Sequence, residues 1–264
     1  LAEQAKILVA EAKENNLGVK VINERWHQWH FCSLCEQDYH GVVRCALGWV
    51  CWKTYVGRTE GDSLRRTAMS VLGNGLSSAG HHEEALSVQE ATLAMLQRIG
   101  GQDQSMLAVQ ANLATTYDAL GRHRDSLRMS RHGYSGRLKL NGVEHENTLI
   151  AAGNYVSSLI RLKRFEEAKA LLRKTMPVAR RVLGENDDLT IRMRWSYAQT
   201  LYRDTGATLD DLREAVTTLV DAERTARRVL GGAHPNVVGL ESNLRHARAH
   251  LRARETPPTT KSQN

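Results

Sequence analysis

The chain has 264 residues, a formal net charge of +7 and 41% hydrophobic residues, enough to bury a substantial core as one or two units. Both signs of charge are interspersed, which describes a solvated surface and does not favour nucleic acid as a partner, since that would call for one concentrated basic face. No run of roughly 18 apolar residues and no secretory leader is legible, so membrane partners are excluded and a cytoplasmic address is expected.

Ala, Leu, Arg and Glu dominate, and proline is confined to Pro177, Pro235, Pro257 and Pro258, so long helices are favoured and the fold class is all-α. Residues 1–24 are expected to form an N-terminal helix, with Leu1 leaving room for a preceding segment. Residues 25–60 form a small module rich in cysteine and tryptophan. All four cysteines lie there, at Cys32, Cys35, Cys45 and Cys51, together with Trp26, Trp29, Trp49 and Trp52.

Cys32 and Cys35 have the spacing of a metal knuckle, in which a tight turn aims two thiolates at one tetrahedral ion. One Zn2+ held by Cys32, Cys35, Cys45 and Cys51 is one reading. On a continuous helix Cys45 and Cys51 would point about 120° apart, so their convergence requires a turn near Gly48 or replacement of one of them by His30 or His40. The other reading packs Cys45 and Cys51 with Trp49, Trp52 and Tyr55 as an apolar cap on the helices that follow.

From Ser63 onward a block of about 42 residues recurs. Gly80-His81-His82-Glu83-Glu84-Ala85-Leu86 is followed by Gly121-Arg122-His123-Arg124-Asp125-Ser126-Leu127 and by Lys163-Arg164-Phe165-Glu166-Glu167-Ala168-Lys169, each a turn feeding a helix. Arg180-Arg181-Val182-Leu183-Gly184 recurs as Arg227-Arg228-Val229-Leu230-Gly231, and a longer turn around 204–210 absorbs the excess length. First helices are expected near 64–79, 106–120, 148–161 and 190–203, their partners near 82–99, 123–140, 164–183 and 209–230, and a last helix near 236–252. Leu113, Tyr117 and Leu120, then Tyr155, Leu159 and Leu162, then Tyr197 and Leu201, fall on one stripe that meets the second helix. Ala85, Ala168 and Ala215 let the paired backbones approach. Residues 256–264 are expected to be disordered.

These units resemble tetratricopeptide repeats of the longer kind found in kinesin light chains, which join through a Leu-Gly…His-Pro segment. Leu230-Gly231-Gly232-Ala233-His234-Pro235 carries it fully, whereas Leu183-Gly184-Glu185-Asn186-Asp187 and Asn141-Gly142-Val143-Glu144-His145 carry it in part. The resemblance implies a right-handed helical-repeat superhelix over 63–252, with about four repeats and a terminal capping helix. The cysteine segment is vaguely similar to the RING and MYND zinc modules, with too few ligands for their two-ion pattern.

Asn112, Asn154, Ser196 and Asn243 take equivalent positions in successive helices. A mid-helix asparagine competes for backbone groups, so its recurrence needs a reason. Either the amides line the inner wall and pair with an extended peptide, as the resemblance implies, or they bond between helices and fix the stacking. Arg161, Arg192 and Arg203 lie near the same face and would favour acidic or carboxylate-bearing partners, although plain solvation also accounts for them.

No phosphate loop, dinucleotide fingerprint, nucleophile elbow or metalloprotease helix occurs, and Gly73-Asn74-Gly75 lacks the following lysine and hydroxyl residue. Glu83-Glu84, Glu166-Glu167 and Asp210-Asp211 open helices, where the helix dipole accounts for them. The sequence therefore describes a non-enzymatic scaffold binding a peptide or protein in a concave groove. The alternatives are a zinc-dependent regulatory or ubiquitin-ligase-associated protein that recruits through its repeats, and a self-associating structural scaffold.

Overall fold

The computed structural model describes residues 1–100 and 103–256. The chain divides into two compact units, Leu1–Met129 and Ser130–Asn264. In the first lie α1 (Ala2–Glu14), α2 (Val19–Trp26), a short 3₁₀ turn (His27–Trp29), β1 (Phe31–Cys32), β2 (Gln37–Asp38), α3 (Gly41–Tyr55), α4 (Ser63–Ser78), α5 (His82–Arg98) and α6 (Asp103–Ala119). The division falls inside α7 (His123–Asn141). The second unit continues with α8 (Glu146–Arg161), α9 (Phe165–Val182), α10 (Asp188–Tyr202), α11 (Leu209–Leu230) and α12 (Pro235–Glu255).

The single helix expected over 1–24 is in fact two. Asn16 adopts a φ of +48°, and the Leu17 N–H turns back to the Ala12 carbonyl at 2.9 Å. Asparagine tolerates this left-handed conformation better than most side chains, which makes it a natural place to stop a helix. Nor do residues 25–60 stand apart as a module. Trp29 and Cys51 are fully buried beside Trp26 and Tyr55, in one cluster with Ala5 and Val9 of α1 and Leu64 and Ala68 of α4. The Trp26 and Tyr55 ring centroids are 5.3 Å apart, a spacing at which aromatic pairs attract beyond their area burial.

Helix α3 packs along α4 through glycines. A Cβ on Gly75 would stand 2.7 Å from the Arg44 carbonyl oxygen, and one on Gly48 would stand 3.1 Å from the Leu72 Cα. The backbones meet where side chains are missing. Gly75 thus has a packing role, and Gly48 marks a close approach with no break in the helix.

The repeat helices pair as the apolar stripe requires. Leu113, Leu159 and Leu201 are each 1% exposed, and Ala85, Ala168 and Ala215 are completely buried where the second helices begin. Burying one such leucine contributes about 1.5–3 kcal/mol. Tyr117 donates to the Glu90 carboxylate at 2.6 Å and Tyr197 to that of Glu214 at 3.0 Å, so the tyrosines pack with their rings and anchor with their hydroxyls. Tyr134 stacks on Tyr155 with centroids 6.1 Å apart.

The joining segments end in side-chain caps. Asp62 accepts from the Leu64 N–H at 2.7 Å, Asp187 from Leu189 at 2.9 Å, and the Nδ1 atoms of His145 and His234 from Asn147 at 3.1 Å and Asn236 at 3.2 Å. The histidine of the Leu-Gly…His-Pro segment is therefore an N-cap, with Pro235 in the first turn where its missing N–H is harmless. The long turn closes with Gly206 N–H on Asp204 at 2.9 Å and a reciprocal capping box between Thr208 and Asp211. Of the tail expected to be disordered, only Thr256 lies within the described residues.

Candidate functional site

In the second unit α10 touches both α8 and α12, so three successive first helices lie side by side. Between α8 and α10 opens a cleft of about 280 Å³. Helix α8 contributes Gly153, Asn154 and Ser157 to it, and α10 contributes Arg192, Trp195 and Ser196. Positions three and four apart share a helix face, which is why these residues converge. Leu172 and Met193, both almost wholly buried, give the cleft an apolar floor. Asn154 is exposed and Ser196 half-buried, leaving an amide and a hydroxyl at the surface of this floor.

Arg192 lines the same cleft and pairs with Asp188 one turn earlier at 2.9 Å, with both groups near half-exposed. Asp188 also accepts from the Asn236 amide at 2.8 Å. Arg192 is thus held over the cleft by an ion pair that water screens strongly.

The other residues of the expected peptide-binding set lie elsewhere. The Asn243 Oδ1 accepts from the Tyr202 hydroxyl at 2.6 Å and from Gln199 Nε2 at 3.0 Å, and its Nδ2 donates to the Gly239 carbonyl at 2.9 Å. That amide ties α12 to α10, the stacking role. Arg161 is exposed at the end of α8, outside the cleft lining, with an interaction of its own. Arg203 lines a different opening of about 400 Å³ with Lys163, Arg164 and Asp204. Asn112 is half-buried on α6 in the first unit.

Repeat alignment did not single out Trp195, Ser157 or Gln199, all of which line the cleft. Trp195 directly precedes Ser196 and lies one turn beyond Arg192, so helical spacing from either residue would have found it.

The four cysteines separate. Helix α3 runs unbroken through Gly48, so Cys45 and Cys51 point apart, as 3.6 residues per turn dictates. Cys51 is fully buried in the tryptophan cluster, where burial pushes its thiol well above the ordinary range, and Cys45 packs with Leu72 and Leu76. Cys32 and Cys35 occupy the hairpin. The backbone N–H groups of Cys35 and then Leu34 bond the Cys32 sulfur and bring its thiol down to about 7. His30 faces Asp38 at 3.3 Å, and burial lowers its pKa. His40 is the N-cap residue of α3, without a side-chain cap bond. Among the described residues no three His, Cys, Asp or Glu side chains gather to hold a metal, and of the Cys32, Cys35, Cys45 and Cys51 set, Cys51 lies in the tryptophan cluster, Cys45 packs on α4 and Cys32 begins the hairpin turn.

Helix pairs closed by buried alanines and joined by capped turns make up an all-α helical-repeat fold similar to that of tetratricopeptide repeats. Residues 65–104, 106–147 and 148–188 each match the family model described as Tetratricopeptide repeat. Solved structures share the fold. BtubC (BKLC) of P. vanneervenii is 15% identical over 84% of this chain and 95% of its own, with a TM-score of 0.60. A kinesin-light-chain candidate of Podosopora anserina with nearly identical repeats is 19% identical over 72% and 89%, also at 0.60. A Rap protein solved in complex with competence and sporulation factor is 12% identical over 95% and 65%, at 0.55. No curated protein sequence matches the chain. The likeness to these structures is one of fold, a stack of tetratricopeptide-like helix pairs. Among the described residues no helix is long and apolar enough to cross a membrane.

Proposed function

We propose that the protein is an interaction scaffold that captures an extended peptide segment of a partner protein in the cleft between α8 and α10. The observation that carries this reading is the exposed Asn154 amide beside an apolar floor already formed by Leu172 and Met193. An amide offers both a donor and an acceptor, so it can pair with a peptide's main chain whatever its sequence. The floor and the face of Trp195 take an apolar side chain of the ligand, and Arg192 at the rim favours a nearby carboxylate. Rigid helices keep the ordering cost on the ligand side.

The test is selection of peptides displayed against the full chain, followed by affinity measurement with the best synthetic binder. Asn154→Ala is expected to weaken binding about tenfold, the loss of roughly 1.4 kcal/mol of hydrogen bonding, with an unchanged thermal melt. Arg192→Glu should weaken acidic binders selectively. Unaltered affinity in the Asn154→Ala variant would overturn the reading.

A further inference from the structure

Helix α12 is covered on the sides that meet its neighbours and bare on the other. It packs on α11 and α10, with Val237, Leu240, Leu244 and Ala247 buried and Gly239 against the Trp195 indole. Val238, Glu241, Arg245, Arg248 and Arg252 recur at alternating intervals of three and four, the spacing of a seam along which a second helix packs. At 1.5 Å per residue this seam is about 21 Å long, and Arg248, nine residues beyond Gly239, stands about 180° round the helix from the α10 side. Val238 is 52% exposed, and all three arginines are exposed.

Charge on this seam is unbalanced. Elsewhere in the second unit exposed arginines face carboxylates: Arg180 meets Glu185 at 3.2 Å, Arg192 meets Asp188 at 2.9 Å and Arg213 meets Glu255 at 3.2 Å. Among the described residues no side-chain hydrogen bond or ion pair engages Arg245, Arg248 or Arg252. No Asp or Glu lies between Ser242 and Arg254, and the flanking carboxylates are taken, Glu241 by Arg227 and Glu255 by Arg213. The helix dipole favours cations in the last turn, which accounts for Arg252 and Arg254 and leaves Arg245 and Arg248 unexplained. Like charges three and four residues apart destabilise the helix that carries them, a cost that an anionic partner removes.

We propose that this seam docks an acidic helix of a partner protein, whose carboxylates pair with Arg245, Arg248 and Arg252 and whose apolar side chain covers Val238. Two observations favour a helix over a nucleic acid or an anionic membrane. Glu241 and Glu255 stand at the two ends of the arginine run and repel a continuous row of phosphates, whereas a helix can place an uncharged residue opposite each. Val238 calls for an apolar contact that a phosphate backbone does not supply. Residues 257–264 carry Lys261 and no Asp or Glu, so the chain's own tail does not match the seam. This face lies away from the cleft between α8 and α10, and the two sites act independently.

The experiment measures fluorescence anisotropy of labelled, alanine-based helical peptides of about 21 residues with the full chain. One peptide carries Glu and a single Leu at alternating intervals of three and four, a second has the same composition scrambled, and a third has Lys in place of Glu. The seam peptide is expected to bind saturably, one per chain, more weakly as salt is raised, and about tenfold or more tighter than the scrambled one. Arg245→Glu with Arg248→Glu should weaken it about tenfold or more and admit the Lys peptide, with the helical circular dichroism retained. Arg245→Gln with Arg248→Gln, which removes charge without reversing it, reads the same loss should the reversal disturb the helix. Asn154→Ala should leave this binding as in wild type. Equal binding of the scrambled peptide, affinity that survives both arginine variants, or loss of binding in Asn154→Ala would each overturn the proposal. So would tighter arginine-dependent binding of duplex DNA or phosphatidylserine vesicles, or a light-scattering mass of twice 29.5 kDa that the charge reversal returns to monomer, which would give the seam to a second copy.

Discussion

The indole of Trp195 on α10 packs against the backbone of α12 at Gly239, so closely that a Cβ there would stand 2.9 Å from Cζ2 and nearer still to Cη2. The absence of one side chain on a neighbouring helix thus positions one wall of the cleft. Gly239→Ala gains about 1 kcal/mol in helix propensity but overpacks the indole at a cost of about 1–3 kcal/mol. The expected outcome is a net loss of stability of about 1 kcal/mol, a shifted Trp195 indole resonance and weaker peptide binding. A melt and indole spectrum like wild type would show that the wall yields freely.

Asn243 and Asn154 occupy equivalent repeat positions yet should respond differently to truncation. Asn243→Ala removes acceptors from Tyr202 and Gln199 and leaves the buried tyrosine hydroxyl without that partner, a loss of about 1–3 kcal/mol. Asn154→Ala, on an exposed side chain, should change stability by no more than about 0.5 kcal/mol. Denaturant midpoints of the two single variants measure the contrast, and equal losses would refute it.

Lys163 has a φ of +58° in the turn where the two earlier copies place Gly80 and Gly121, at +84° and +73°. A side chain in that conformation costs about 1–2 kcal/mol, against about 0.5–1 kcal/mol for the extra freedom glycine loses on folding. Lys163→Gly is therefore expected to stabilise the protein by up to about 1 kcal/mol, raising Tm by a few degrees. Gly121→Ala should lower it.

The Thr208 hydroxyl, followed by the Thr208 backbone N–H, holds the Asp211 carboxyl below the usual carboxylate range. A group with a depressed folded pKa stabilises fully above its unfolded value, about 3.9, and loses that contribution as pH falls through the folded value. Asp211→Ala should therefore lower Tm at pH 7 by a few degrees, in line with about 1 kcal/mol for a helix cap, and the difference from wild type should shrink below pH 4. A difference independent of pH would show that the charge is not what matters.

The repeat helices were legible because their signals are local. The turns at Gly80, Gly121 and Lys163, and the recurring tyrosine and leucine stripe, placed each helix end within about three residues of where it falls, close to the usual scatter of helix boundaries. The same local pattern marked Asn154, Ser196 and Arg192, which share one cleft. It gave no means of separating Asn154 from Asn243, because periodicity fixes the face of a helix and not what lies opposite it. The break at Asn16 was missed for a related reason: one left-handed residue ended a run whose composition favours a continuous helix.

Sequence by itself determined the repeating helix pairs, their capped joints and the amide positions, since all of these depend on residues close together in the chain. Tertiary structure alone decided which amide stays exposed, that Trp195 forms a wall because Gly239 is bare, and that Cys51 is a core residue while Cys32 and Cys35 share an exposed turn. Those outcomes depend on distances between helices, which are set by the packing of side chains far apart in sequence.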